Sequence, residues 1–271
     1  MTMDVGTGQF VFRDERGDPD RPVTVWYNRP EGVMSDFPLV FILHGMGRNA
    51  DGYRDAWVGH SNRSGFVLLA PEFSKEHFPG GKRYNLGFMF SEDGEPISER
   101  LWTFSAIEHL FDFVTSSMEH PAEQYSIYGH SAGGQFVHRF LYFKPKARVC
   151  AAVSANSGWY TMPTFAIPFP GGLKDSGVTP EQLGKVFARR HVLLLGTADS
   201  DPDHPGLSRS DEAMAQGRYR FERGQTFYRA AKAEAKRLGV SLAWELETVP
   251  GVGHNNAGMA PAAVAALFNR R

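Results

Sequence analysis

Residues 124–143 read QYSIYGHSAGGQFVHRFLYF, and this stretch decides how the rest of the chain is organised. Its first residues form a short strand-like run, and the apolar residues after the glycines recur at helical spacing. Between the two, residues 129–133 match the pattern G-x-S-x-G. This pattern places a serine with positive φ at a sharp strand-to-helix turn, because glycines on either side leave room for neighbouring backbone. The stretch therefore predicts Ser131 as a nucleophile at the positive end of a helix dipole.

The composition excludes several classes of function. The 271 residues include 29 Lys and Arg against 30 Asp and Glu, so no global charge attracts nucleic acid or an anionic membrane. We therefore expect a small-molecule substrate as the partner. No repeat or low-complexity tract divides the chain, and residues 1–271 are expected to form a single domain.

The cysteine count and the N-terminal sequence bear on the cellular compartment. Cys150 is the only cysteine, so no intrachain disulfide can form, and its apolar surroundings predict a buried structural thiol. The N-terminus lacks a basic segment followed by an apolar stretch, and no window reaches the roughly 18 apolar residues of a membrane span. We expect a cytoplasmic protein that does not span a membrane. The sequence makes no prediction of the oligomeric state.

A second motif follows the continuous apolar run at residues 39–43, which is typical of a strand buried on both faces. Directly after it, residues 44–47 read HGMG. Glycine lets a backbone N–H turn inward at the end of such a strand, where it can stabilise an oxyanion. We predict the N–H groups of Met46 and Ala132 as the oxyanion hole. An ordinary strand-to-helix turn is the alternative interpretation.

The rest of the chain alternates between strand-like and helix-like segments, which predicts an α/β fold with a mostly parallel sheet of about eight strands flanked by helices. Strands are predicted at 9–13, 22–28, 39–43, 66–70, 125–128, 148–154, 191–195 and 242–248, the first two as an antiparallel hairpin. Helices are predicted at 53–60, with Asn49 or Asp51 as its cap, and at 101–114, 132–141, 180–189, 227–238 and from 261 onward.

Three segments are predicted to be irregular. Residues 72–96 and 156–180 are long and rich in aromatic residues, proline or glycine, and we expect 156–180 to form a small cap over a pocket. Phe73, Trp159 and Tyr160 are the predicted substrate contacts. Residues 208–224 are polar and charged, and are predicted to be a solvated excursion.

The candidate acid and the candidate base follow predicted strands in the second half of the chain. Asp199 comes three residues after the glycine that ends the strand near 191–195, with Asp201 as a rival carboxylate. His254 is the one histidine that follows the last strand within a glycine-bearing loop. Ser131, Asp199 and His254 thus occur in the order nucleophile, acid and base, which differs from the order in chymotrypsin and subtilisin.

These motifs resemble those of α/β-hydrolase-fold serine esterases over essentially the whole chain. HGMG at 44–47, GHSAGG at 129–134, GTAD at 196–199 and VGH at 252–254 carry the likeness. The loop that continues into NADGY at 49–53 is similar to that of the polyhydroxyalkanoate depolymerase and feruloyl esterase group. Many members of that group are secreted and disulfide-bonded, whereas this chain has neither a recognisable leader nor a cysteine pair, which argues against an extracellular polymer as substrate.

The resemblance implies hydrolysis of a carboxylic ester through an acyl-enzyme, with a Ser-His-Asp triad and a backbone oxyanion hole. It implies no metal and no organic cofactor. Two alternatives remain: an amidase or peptidase that uses the same triad, and a catalytically silent binding protein on the same scaffold. The intact set of candidate residues argues against the silent scaffold.

Overall fold

The computed structural model describes residues 2–268 of the chain. Eight strands in this part of the chain form a single sheet. The strands are β1 (Gly6–Phe12), β2 (Val23–Arg29), β3 (Leu39–Leu43), β4 (Val67–Glu72), β5 (Tyr125–His130), β6 (Val149–Ala155), β7 (His191–Gly196) and β8 (Trp244–Val249).

Helices connect the strands and cover the sheet. The α-helices in residues 2–268 are α1 (Ala50–Ser64), α2 (Thr103–Ser117), α3 (Ala132–Phe143), α4 (Pro180–Phe187), α5 (Asp211–Met214), α6 (Arg220–Leu238) and α7 (Asn256–Phe268). Short 3-10 helices lie at Met34–Asp36 and Glu99–Leu101. No helix within residues 2–268 has the length and apolar character needed to cross a membrane.

The sheet has the order β1-β2-β4-β3-β5-β6-β7-β8. β1 pairs antiparallel with β2, and β2 pairs antiparallel with β4, while all the other neighbouring pairs are parallel. The prediction of a mostly parallel sheet with an opening hairpin is therefore confirmed. Parallel order brings the carboxyl ends of β3, β5, β6 and β7 to one edge of the sheet, and this is where the site lies.

Two apolar layers hold the helices against the sheet. Helices α2, α3, α4 and α6 pack on one face, and α1 and α7 pack on the other. All five residues of β3 are fully buried between these layers, which explains the uninterrupted apolar run in the sequence. Burial of each such side chain contributes about 1.5–3 kcal/mol, so this strand is a rigid support for the turn that follows it.

Three helices, α1, α6 and α7, begin earlier than predicted, and α6 begins at Arg220 instead of Phe227. α1 begins at Ala50, and Asn49 is its N-cap residue, as predicted, although its side chain makes no capping hydrogen bond. α7 begins at Asn256 and contains Pro261, which was predicted to start it. The side chain of Asn255 accepts a hydrogen bond from Gly258 N at 2.8 Å and so caps the first turn of α7. This cap explains why the helix begins before Pro261.

Cys150 is exposed, which contradicts the predicted buried thiol. The pairing of β5 with β6 shifts between Tyr125 opposite Val149 and Ser126 opposite Ala151, so Cys150 is the extra residue of a bulge. β7 pairs with β6 only from Ala152 onward, which leaves this end of the strand without a neighbour on that side. An apolar run at a strand end therefore did not indicate burial.

Candidate active site

Ser131 lies at the sharp turn between β5 and α3. Its backbone has φ 58° and ψ −118°, a conformation that costs about 1–3 kcal/mol for a residue with a side chain. A Cβ at Gly129 would collide with the carbonyl of Gly133, and a Cβ at Gly133 would collide with the carbonyl of Leu43. Both glycines are required by close backbone approach, and the turn presents the serine hydroxyl at the edge of the sheet.

His254 and Asp199 lie next to Ser131 and form a chain of hydrogen bonds with it. His254 Nε2 is 3.0 Å from Ser131 Oγ, and His254 Nδ1 is 2.7 Å from Asp199 Oδ2. A carboxylate can only accept, so Nδ1 carries the ring proton and Nε2 is free to accept the serine proton. Asp201 is exposed, and its carboxylate accepts a hydrogen bond from Asp203 N instead. The structure thus brings Asp199, and not Asp201, against His254.

The turn after β3 lies beside the serine. A Cβ at Gly45 would be 3.5 Å from Ser131 Cβ, which places the next residue, Met46, at the site. Ala132 is the first residue of α3, where a backbone N–H has no partner within the helix. Within residues 2–268, neither the Met46 N–H nor the Ala132 N–H donates a hydrogen bond to another protein group. Two unpaired donors therefore flank the serine.

His44 holds that turn in place. Its Nε2 accepts a hydrogen bond from Phe73 N at 3.0 Å, and its Nδ1 lies 2.9 Å from the carbonyl of Gly45. The hydroxyl of Tyr84 donates to the His44 carbonyl at 2.6 Å. Burial lowers the pKa of His44 to about 3, so the ring is neutral and binds the turn as a donor and an acceptor.

Of the three predicted substrate contacts, one lies at the cavity and two lie elsewhere. Ser131 and His254 open into a cavity of about 790 Å³, and Trp159 lines its wall. Tyr160 is fully buried and stacks on Phe227 with ring centroids 4.4 Å apart. Phe73 is also buried, and packs among other aromatic rings behind His44. Neither of these two side chains lines the cavity.

Arg220 is a site residue that the sequence reasoning missed. Its Nη1 is 3.2 Å from Asp199 Oδ1, and the two side chains are only 2% and 4% exposed. Residues 208–224 are therefore not a simple solvated excursion, and that prediction is wrong. Arg220 lies seven residues before Phe227 and in phase with the buried face of α6, a helical spacing that could have indicated its burial.

Asn156 and His130 also contact the loop that carries His254. Asn156 donates to the Gly253 carbonyl at 3.0 Å, and its side-chain oxygen accepts from Gly196 N at 2.8 Å. His130, which precedes the serine, lies with its ring centroid 4.6 Å from that of His254. Burial, and then the charges of His254 and Arg220, lower the pKa of His130 well below its usual value. A neutral ring therefore packs against His254.

The described residues contain no group of three or more His, Cys, Asp or Glu side chains able to hold a metal ion. The chemistry that this arrangement offers is an oriented serine, a base within hydrogen-bond reach, a carboxylate that orients the base, and two free N–H donors. Such a set can activate a hydroxyl and stabilise a negative charge next to it.

Comparison with known proteins finds similar structures that cover nearly the whole chain. Poly(aspartic acid) hydrolase-1 from Sphingomonas sp. KT-1 is 41% identical over 98% of this chain and 100% of that chain, with a TM-score of 0.95. The poly(3-hydroxybutyrate) depolymerase LpqC from Bordetella parapertussis is 35% identical over 98% and 90%, with a TM-score of 0.93. The siderophore hydrolase EstB from Aspergillus nidulans, at 15% identity over 100% of this chain and 99% of that chain and a TM-score of 0.52, shares the fold. No protein-family model and no curated protein matches the chain.

Proposed function

The chain belongs to the α/β-hydrolase esterase group, and on that premise we propose that it is a serine hydrolase that cleaves carboxylic esters through an acyl-enzyme intermediate. The observation that carries the proposal is the chain of hydrogen bonds from Ser131 through His254 to Asp199, at 3.0 Å and 2.7 Å. A silent binding protein would have no need of a strained serine with a base in hydrogen-bond reach.

In the first half of the reaction, Ser131 Oγ attacks the ester carbonyl carbon while His254 Nε2 takes its proton. The carbonyl electron pair moves to oxygen, and the N–H groups of Met46 and Ala132 stabilise this oxyanion. One such donor is typically worth about 10²–10³-fold in rate. Asp199 keeps the proton of His254 on Nδ1 and stabilises the imidazolium. The tetrahedral intermediate then collapses, the alcohol leaves with the proton from His254, and an acyl-serine remains.

In the second half, His254 takes a proton from water, which attacks the acyl carbon through the same oxyanion hole. Collapse of this intermediate breaks the bond to Ser131 Oγ, returns the proton to the serine and releases the carboxylic acid. None of these steps requires a group beyond the chain's own residues and water. We also propose that residues 1–271 form one domain in which residues 156–180 are a small cap, supported by the position of Trp159 on the cavity wall.

Amide hydrolysis by the same residues is the second candidate, and one finding favours it. The similar hydrolase from Sphingomonas is named for poly(aspartic acid), whose backbone linkages are amides, whereas the similar depolymerase is named for a polyester. The mechanism is the same, except that His254 must protonate a poorer leaving group, the amine. The ester proposal and the amide alternative therefore differ in substrate and share Ser131.

The test is hydrolysis of p-nitrophenyl esters from acetate to palmitate, together with poly(aspartic acid) and poly(3-hydroxybutyrate), by wild type and Ser131→Ala. We expect ester turnover that falls by about 10⁴-fold or more in the variant, because no other nucleophile is in place. Turnover of poly(aspartic acid) without ester turnover would support the amide alternative. Comparable ester activity in Ser131→Ala would contradict the nucleophile, and no turnover of any substrate would favour a silent scaffold.

A further inference from the structure

The first turn of α6 contacts Asp199 through both its backbone and a side chain. Phe221 N donates to the Asp199 backbone carbonyl at 3.1 Å, and Arg220 Nη1 donates to Asp199 Oδ1 at 3.2 Å. Because His254 Nδ1 donates to the other carboxylate oxygen, each oxygen of Asp199 accepts a hydrogen bond from a different side chain. The carboxylate is therefore held in one plane and one rotamer.

Arg220 also reaches the cavity wall on its other side. Its Nη2 lies 3.2 Å from His204 Nδ1, which also accepts from Gly206 N at 3.0 Å. A ring nitrogen that accepts twice carries no proton, so His204 is neutral with its proton on Nε2. Burial and then Arg220 lower the pKa of His204, consistent with this neutral form. His204 and Gly206 both line the cavity that contains Ser131.

We propose that Arg220 is a positioning residue for the proposed hydrolysis, which acts through Asp199 and so sets the orientation and the basicity of His254. The inference rests on the proposed function. The ion pair is nearly inaccessible to solvent, so it is screened far less than a surface pair. A guanidinium suits this place because its planar fork can bind a carboxylate and a ring nitrogen at fixed angles at once.

The charge of Arg220 has a predictable effect on the pH dependence. The groups that face His254 are Asp199 in the turn after β7, His130 at the end of β5, His204 in the loop along the cavity and Arg220 on α6. Of these, the two histidines are neutral, Asp199 favours the imidazolium and Arg220 opposes it. Removal of Arg220 therefore makes the imidazolium easier to form, and the acidic limb of activity moves to higher pH.

The test compares Arg220→Gln with Arg218→Gln, the same change at an exposed arginine two residues away. For p-nitrophenyl butyrate we expect Arg220→Gln to lower kcat by about 10- to 100-fold, because a charge-assisted hydrogen bond to Asp199 is lost. KM should stay within about twofold, since Arg220 is occupied by Asp199 and His204, and the acidic limb of kcat/KM should move up by about half a pH unit or more. Arg218→Gln should match wild type in all three quantities.

The double variant with Asp199→Asn separates positioning from a general effect on folding. If Arg220 acts through Asp199, Arg220→Gln should cost little further activity in the Asp199→Asn background. An equal loss in both backgrounds, a change in KM alone, or an unmoved acidic limb would overturn the inference. Arg220→Lys keeps the positive charge, so the acidic limb of kcat/KM should lie at the wild-type pH while kcat recovers only in part. This variant tests the inference even if Arg220→Gln does not fold. Loss of turnover in Ser131→Ala, measured in parallel, keeps a failure of this inference distinct from a failure of the proposed function.

Discussion

The turn that gives Ser131 its positive φ also presents its hydroxyl to His254. The positive φ is tolerated because α3 and β5 are fully buried around the turn and hold it from both sides. The strain is confined to one residue whose neighbours at positions 129 and 133 have no side chain to collide. The hydroxyl reaches His254 without a change in the backbone, so the site is organised before substrate binds.

The choice of carboxylate gives a prediction at this scale. Asp199→Asn should lower kcat by about 10⁴-fold, because an amide cannot hold His254 in the tautomer that accepts the serine proton. Asp201→Asn is the matched control, since Asp201 is exposed and its carboxylate accepts a hydrogen bond from Asp203 N. Steady-state ester hydrolysis distinguishes them. If Asp201→Asn were the inactive variant, the assignment of the acid would be reversed.

Among the elements, buried arginines connect segments that are distant in the sequence. Arg223 on α6 donates to the carbonyls of Gly158 at 2.7 Å, Ser208 at 2.8 Å and Gly217 at 2.9 Å. Arg139 on α3 donates to Thr161 Oγ1 at 2.8 Å, and burial lowers its pKa to about 9. The segment that carries Trp159 is thus held by two helices, which explains how irregular backbone can form a defined cavity wall.

Removal of the Arg223 contacts should loosen this wall. Arg223→Met leaves three carbonyls without their donor, at a cost of about 1–3 kcal/mol for each that stays buried. We expect faster amide hydrogen exchange in residues 156–161 and 208–217 and a higher KM for esters. Arg229→Met, an exposed position on the same helix, is the control. Unchanged exchange in both segments would show that Arg223 does not hold them.

Over the whole molecule, buried neutral histidines make stability depend on pH. Burial lowers the pKa of both His44 and His191 to about 3, against about 6.5 in the unfolded chain. Between these values the unfolded chain binds protons that the folded chain does not, so stability falls as the pH decreases. Each histidine contributes about 1.4 kcal/mol per pH unit in this window, and His130 and His138 act in the same direction.

Urea denaturation at pH 7, 6 and 5 measures this effect. The free energy of unfolding should fall steeply below about pH 6.5, and His191→Phe should make the slope shallower by about one proton. His77→Gln, at a partly exposed position, is the control. A free energy of unfolding that stayed constant from pH 7 to pH 5 would contradict the buried neutral rings.

Sequence patterns predicted those helices and strands whose buried residues recur at a regular spacing. The uninterrupted run of β3, the helical spacing in α2 and the glycines around Ser131 each report contacts made by the segment itself. Helical spacing could have indicated that Arg220 is buried. It could not have indicated the partners of Arg220 and Arg223, because Asp199 and Gly158 are 21 and 65 residues away. Tyr160 and Phe73 lie in irregular segments, where no periodicity indicates which side chain faces the cavity.

The most direct test of the central claim is covalent labelling of Ser131 with a fluorophosphonate, followed by intact-mass measurement and peptide mapping. The serine oxygen forms a bond to phosphorus as fluoride leaves, and His254 takes the serine proton. We predict a single adduct on Ser131 in wild type, none in Ser131→Ala and a much slower reaction in His254→Ala. An adduct on another residue, or an unlabelled wild-type protein that still hydrolyses esters, would contradict the account.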